Sequence, residues 1–162
     1  MIFTLSFTID FKKIGEMMKN YNLYSLKVYP NGRGRDVYRK IEIMGDRTLD
    51  SLCIVIIESF DFIHEHLYEF CMDNRMYSDN SYSVEPEYGE RSTDISLDKL
   101  KLQKGQKFLL HYDFGDDWLF TIRVEDIVKT KEDVVSHVTK SKGSIEQYPD
   151  FDGWEDEEDE IE

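Results

Sequence analysis

At 162 residues, with 40% apolar and 14% aromatic side chains, the chain is long enough for one domain with its own core and too apolar to be disordered. The formal charge of −14 is uneven: residues 150–162 carry nine acids and no base, leaving −5 for residues 1–149. This balance counts against non-specific nucleic-acid binding as the main activity, and two cysteines in apolar runs, Cys53 and Cys71, exclude a dense disulfide scaffold.

Residues 2–9 read as a strand from their β-branched and aromatic content, and Asp10 stands where an N-cap would, ahead of Phe11, Ile14, Met18 and Tyr21 at helical spacing. The same N-terminus, without a basic region and interrupted by Ser and Thr, reads as neither signal peptide nor membrane span, so a cytoplasmic location is expected. Residues 23–29 and 37–44 are strand candidates on either side of a Pro-Asn-Gly-Arg-Gly loop, which predicts a hairpin. Thr48 is placed to cap the clearest helix, in which Leu49, Leu52, Cys53, Ile56, Ile57 and Phe60 share one face. Alternation over residues 66–73 predicts a further strand. Residues 77–96 are polar and aperiodic, the pattern of a long functional or mobile loop, and Leu97, Leu100 and Leu102 predict one helical turn.

These elements predict a single α+β domain, a mostly antiparallel sheet with two or three helices packed on it. Residues 1–149 form that domain, with a strand-and-helix extension over 1–21 and a core over 22–149, and residues 150–162 are expected to be a disordered acidic tail. A sharper reading has Trp154 and the tail acids dock on a basic surface.

The most informative segment is residues 111–118, His-Tyr-Asp-Phe-Gly-Asp-Asp-Trp. Phe108, Leu110, Tyr112 and Phe114 share one parity, as do Trp118, Phe120, Ile122 and Val124 beyond the turn. Both sets face the core only if paired residue numbers sum to an even value. The expected register pairs Phe114 with Trp118, Tyr112 with Phe120 and Leu110 with Ile122 around a three-residue turn, Gly115 to Asp117. A two-residue turn would set Tyr112 opposite Leu119 and send Phe120 and Ile122 to the other face.

In order, Tyr38-Arg-Lys-Ile-Glu-Ile, the helix from Thr48, His66-Leu-Tyr-Glu-Phe, Ile95-Ser-Leu-Asp-Lys-Leu and Tyr112-Asp-Phe-Gly-Asp-Asp-Trp resemble the plasmid pRiA4b ORF-3-like family, and Gln147-Tyr-Pro is similar to a segment near the end of some members. The resemblance implies an α+β fold and an association with mobile elements, and it names no reaction. Tyr38-Arg-Lys stands where many members have Trp-Arg-Arg.

Three carboxylates within five residues, Asp113, Asp116 and Asp117, are candidate ligands for Mg²⁺ or Ca²⁺; the simpler alternative is that they bond to turn amides. Asp113-Phe-Gly also spells the metal-binding triplet of protein kinases, but no glycine-rich loop or His-Arg-Asp segment accompanies it. His64 and His66 make an incomplete zinc half-site, and His66 alone suits a hydrogen bond at a strand start. His111 and Asp113 share the outer face of the hairpin, the geometry of an acid/base pair. Arg33, Arg35, Arg39 and Lys40 are the possible phosphate-binding set, with a solvated hairpin face as the alternative. The leading expectation is a non-catalytic binding domain without a cofactor, recognising a protein or nucleoprotein partner, not a membrane, through His111, Asp113, Asp116, Asp117, His66 and the 77–96 loop. The alternative is a divalent-metal-dependent, nucleic-acid-processing enzyme using the acidic turn.

Overall fold

The computed structural model describes residues 8–17 and 19–149. Among the described residues, seven strands form one sheet: β1 (Tyr21–Pro30), β2 (Tyr38–Met44), β3 (Tyr68–Cys71), β4 (Ser81–Ser83), β5 (Lys107–Tyr112), β6 (Trp118–Thr130) and β7 (His137–Lys142). Their spatial order is β4-β3-β5-β6-β1-β2-β7, and every pairing is antiparallel. The long β6 joins the halves, pairing with β5 near its start and with β1 along its length, across a bulge at Ser25 and Leu26.

One face carries the core. Leu26, Val28, Ile41, Ile43, Phe70, Phe108, Phe120 and Ile122 alternate onto it, and the helix α2 (Leu49–Ser59) covers them. Thr48 caps that helix as its position predicts, its Oγ1 accepting from the Ser51 amide at 3.2 Å. Leu49, Leu52, Cys53, Ile56 and Ile57 are buried, each larger side chain contributing roughly 1.5–3 kcal/mol before entropic losses. At the far end the Arg39 guanidinium donates to the Ser59 carbonyl at 2.7 Å, where the helix exposes unpaired acceptors.

The expectation of an α+β domain with two or three helices packed on the sheet is overturned. Among the described residues the fold is mostly a seven-stranded antiparallel sheet with one packed helix. A second helix, α1 (Phe11–Met17), does form, with the Asp10 carboxylate accepting from the Lys12 and Lys13 amides at 3.1 and 3.3 Å. It is only seven residues long, and Phe11 is 80% exposed, so it does not cover the sheet. The third candidate is a 3₁₀ turn, Leu97–Leu100. Residues 77–96 are not structureless either, because β4 pairs with β3 and the Ser83 amide donates to Arg91 O at 2.8 Å. The strand expected over residues 2–9 falls almost wholly outside the described residues, as does the acidic tail. No helix among the described residues is long and apolar enough to cross a membrane.

The β5–β6 hairpin has the even parity read from its pattern, but the register is moved by two residues. Tyr112 faces Trp118, Leu110 faces Phe120 and Phe108 faces Ile122, leaving a five-residue loop, 113–117. Phe114 is therefore 45% exposed rather than in the core. The cause is local hydrogen bonding. Asp113 sits at φ +62°, and its carboxylate accepts from the Gly115 and Asp116 amides at 3.0 and 3.3 Å. The Asp117 amide donates to Asp113 O at 2.7 Å, closing the loop one residue pair earlier than burial of Phe114 would require.

Candidate functional site at the hairpin turn

The 113–117 loop separates two histidine–carboxylate clusters. On the core-facing side, His66 Nδ1 lies 3.5 Å from Asp113 Oδ2 and Nε2 lies 2.7 Å from the Tyr148 hydroxyl. The Tyr112 hydroxyl donates to the Ile63 carbonyl and accepts from the Glu65 and His66 amides at 3.1 and 3.4 Å. Buried Gln147 accepts from the Ile63 amide at 2.7 Å. Residues 63–66 are thus strapped between β5 and the segment after β7. Burial, followed by the negative charges of Asp113, Asp116 and Glu65, raises the Tyr148 pKa, so the phenol stays a proton donor. Burial likewise raises Tyr112, against the opposing pull of its two amide donors.

On the outer side, His111 is fully buried. Its Nδ1 lies 3.0 Å from Glu69 Oε1 and its Nε2 lies 2.6 Å from Asp117 Oδ1. Both nitrogens can donate together only as imidazolium, the form that satisfies the two carboxylates simultaneously. The Phe114 ring, 4.9 Å away, and the Tyr77 ring, 5.8 Å away, cover the imidazole. Glu69 stands directly across the strand pair from His111.

The five candidate residues, His66, His111, Asp113, Asp116 and Asp117, are thus brought to one end of the sheet, but the three aspartates do not converge. Asp113 serves turn amides and His66, Asp117 serves His111, and Asp116 is exposed. Among the described residues no group of three or more His, Cys, Asp or Glu side chains is disposed to hold a metal ion. His64 packs beside Tyr68 and Tyr112 rather than sharing a ligand with His66.

Beside the turn runs a groove of about 610 Å³ between the hairpin and residues 78–91. Glu69, Asp79, Glu85, Glu87 and Glu90 line it, together with half-exposed Leu67 and Phe114. Its one arginine, Arg91, is drawn aside, stacked 4.2 Å over Tyr82 and donating to Ser81 O and Asn80 Oδ1 at 3.1 and 2.8 Å.

The possible phosphate-binding set does not assemble. Arg39 is buried over the Phe60 ring and donates to the carbonyls of Tyr38, Ser59, Lys142 and Gly143. Lys40 pairs with Glu125 at 2.8 Å, Arg33 lies beside Trp118 and Pro30, and Arg35 lines a separate pocket on the outer face.

Three of the segments on which the family resemblance rests meet at this end of the sheet: His66 and its strand, the 112–118 segment and Gln147-Tyr148. Comparison with protein families gives a match over residues 22–156, to the Plasmid pRiA4b ORF-3-like proteins. The chain belongs to this family. The pRiA4b ORF-3-like match begins at the second residue of β1, so it covers all of the sheet but Tyr21 and leaves α1 outside. Among solved structures, this member is similar to MM3350 of Methanosarcina mazei Go1, a protein of unknown function, at 26% identity and a TM-score of 0.64, over 76% of this chain and 71% of that one. No curated protein matches.

Proposed function

We propose that this pRiA4b ORF-3-like protein is a binding domain that takes a lysine- or arginine-rich segment of a protein partner in the acidic groove beside the 113–117 loop. The observation that carries this reading is the lining of the groove: besides Glu69, which meets His111, it presents four carboxylates, Asp79, Glu85, Glu87 and Glu90, with Arg91 held aside by Tyr82, and two exposed apolar side chains, Leu67 and Phe114. Carboxylates give charge complementarity to a cationic segment, and the apolar edge gives it an anchor. The surrounding histidines support recognition rather than proton transfer. His66 and His111 are each committed to carboxylates of the fold itself, which fixes the loop before a partner arrives.

The test is fluorescence anisotropy with a labelled ten-residue Lys/Arg peptide and a Glu-rich control, using the full chain. Saturable binding that weakens with salt, and at least tenfold poorer binding by Glu85→Lys/Glu87→Lys, are expected. Equal binding by that variant would place the peptide elsewhere on this acidic chain and sink the proposal.

A further inference from the structure

The register of the sheet aligns cations that lie far apart in sequence. Lys107 on β5 is directly opposite Arg123 on β6, Arg123 is opposite Lys27 on β1, Lys27 opposite Lys40 on β2, and Lys40 opposite Lys140 on β7. Directly paired residues project to one face, here the outer one, so a row of five cations spans about 19 Å at the usual strand spacing. Like charges placed opposite one another disfavour the pairing, yet the row persists in a chain of net charge −14. Lys40 is answered by Glu125. Among the described residues, no carboxylate lies within ion-pair distance of Lys27, Lys107 or Arg123. The Lys27 ammonium instead sits over the Tyr38 and Tyr29 rings, at 4.5 and 5.7 Å.

That unpaired end of the row floors a pocket of about 540 Å³, to which the β1–β2 loop adds Arg35 and one acid, Asp36. The loop wall is fixed. The Asn31 amide donates to Leu119 O at 2.8 Å, and Gly34 lies so close to Tyr29 that a Cβ there would come within 2.9 Å of the ring. Asn74 and Thr121 complete the lining. None of these residues lines the acidic groove, so the two readings stand or fall separately.

We propose that this pocket binds a small ligand carrying two or three phosphate groups, with Lys27, Lys107, Arg123 and Arg35 contacting the phosphate oxygens. The volume falls within the range of small-ligand sites. A long polyanion would meet the repulsion of the whole chain, whereas a small one responds to charges within roughly 8 Å at physiological salt.

Isothermal calorimetry on the full chain, with EDTA present, would compare sodium tripolyphosphate, a nucleoside triphosphate and a twelve-residue oligothymidylate. Saturable binding of tripolyphosphate is expected, weakened at least tenfold in Lys107→Gln/Arg123→Gln and unchanged in Lys129→Gln/Lys131→Gln. Relief of the like-charge row should also leave the Lys107→Gln/Arg123→Gln variant folded, with a melting temperature equal to or above that of the parent. A nucleoside triphosphate that binds more tightly than tripolyphosphate identifies a nucleotide as the source of the phosphates, and equal affinity identifies the phosphate chain alone; both support the site. Failure of tripolyphosphate to saturate, equal loss in the control variant, or an oligothymidylate that outcompetes both small probes at the same residues would overturn the proposal.

Discussion

Asp113 shows how one side chain sets the geometry of this end of the molecule. Its carboxylate accepts two turn amides and faces His66, while its backbone holds φ +62°. Asp113→Ala loses those acceptors and places an alanine in the left-handed region, so a cost of about 2–3 kcal/mol is expected, whereas Asp113→Asn keeps an acceptor, tolerates the backbone and should cost about 1 kcal/mol. Urea denaturation distinguishes them, and equal destabilisation by both would show that the Asx turn does not hold the hairpin. The two thiols offer a second prediction. Burial, with the Glu69 charge adding to it, pushes the Cys71 pKa up to about 12, and burial with the Asp50 charge also raises that of Cys53. Thiolate is the reactive form, so neither should be alkylated by iodoacetamide at pH 8 in the folded protein, and both should react in denaturant. Rapid native-state labelling would contradict their burial. At this scale the sequence disclosed the acidic turn and His111, because they lie within one short segment. It did not disclose Glu69, which reaches His111 only through the pairing of β3 with β5, 42 residues away.

The elements most legible in sequence were those with a strong period or cap, α2 with Thr48 and the β1–β2 hairpin. β4 and β7 were not legible, since Ser81–Ser83 and His137–Lys142 have few apolar residues and are strands by virtue of the edges they complete. The even parity of β5 and β6 was also readable, but the two-residue shift was not, because it depends on the competition between burying Phe114 and closing the Asx turn. β7 is nevertheless tied in firmly. Its end meets the β1–β2 loop at Gly143, which has φ +64° and whose added Cβ would lie 2.4 Å from Asp36 O. The Gly143 carbonyl also accepts from Arg39 Nη1 at 2.9 Å, beside the bond from the same guanidinium to the end of α2. Gly143→Ala combines backbone strain with a backbone clash, and a loss of at least about 2 kcal/mol is expected. Arg39→Lys removes the fork that bridges β2, α2 and β7 and should cost a similar amount, about 2–3 kcal/mol. Thermal unfolding of both variants tests this. Stability unchanged in Arg39→Lys would mean that a point charge suffices where the geometry indicates a planar one.

Across the whole molecule, the net charge of −14 conceals a segregation produced by strand register, with carboxylates at the 113–117 end and a cationic row further along the outer face. Composition alone could not have shown it. The core also contains two phenols held against carboxylates: Tyr24 donates to Asp98 at 2.9 Å and Tyr68 to Asp50 at 2.8 Å. Burial first, then those hydrogen bonds, raises both pKa values above the ordinary phenol range. In the unfolded chain both would ionise near pH 10. The folded state therefore binds their protons more tightly, and that contribution to stability is complete below about pH 10 and declines as the pH rises beyond it. On the acid side, Asp73 is lowered by hydrogen bonds from Ser78 and Arg75, and Asp126 by one from Lys104. Their contribution is present at neutral pH and disappears as the pH falls below about 4; both are on the surface, so it is small. The urea midpoint should consequently be level through neutral pH and fall above pH 10. In Tyr24→Phe/Tyr68→Phe the midpoint at pH 8 should be lower, because two hydrogen bonds are gone, but its decline from pH 9 to pH 11 should be shallower, because the phenols that resist ionisation have been removed. An unchanged alkaline slope would show that other groups govern unfolding at high pH.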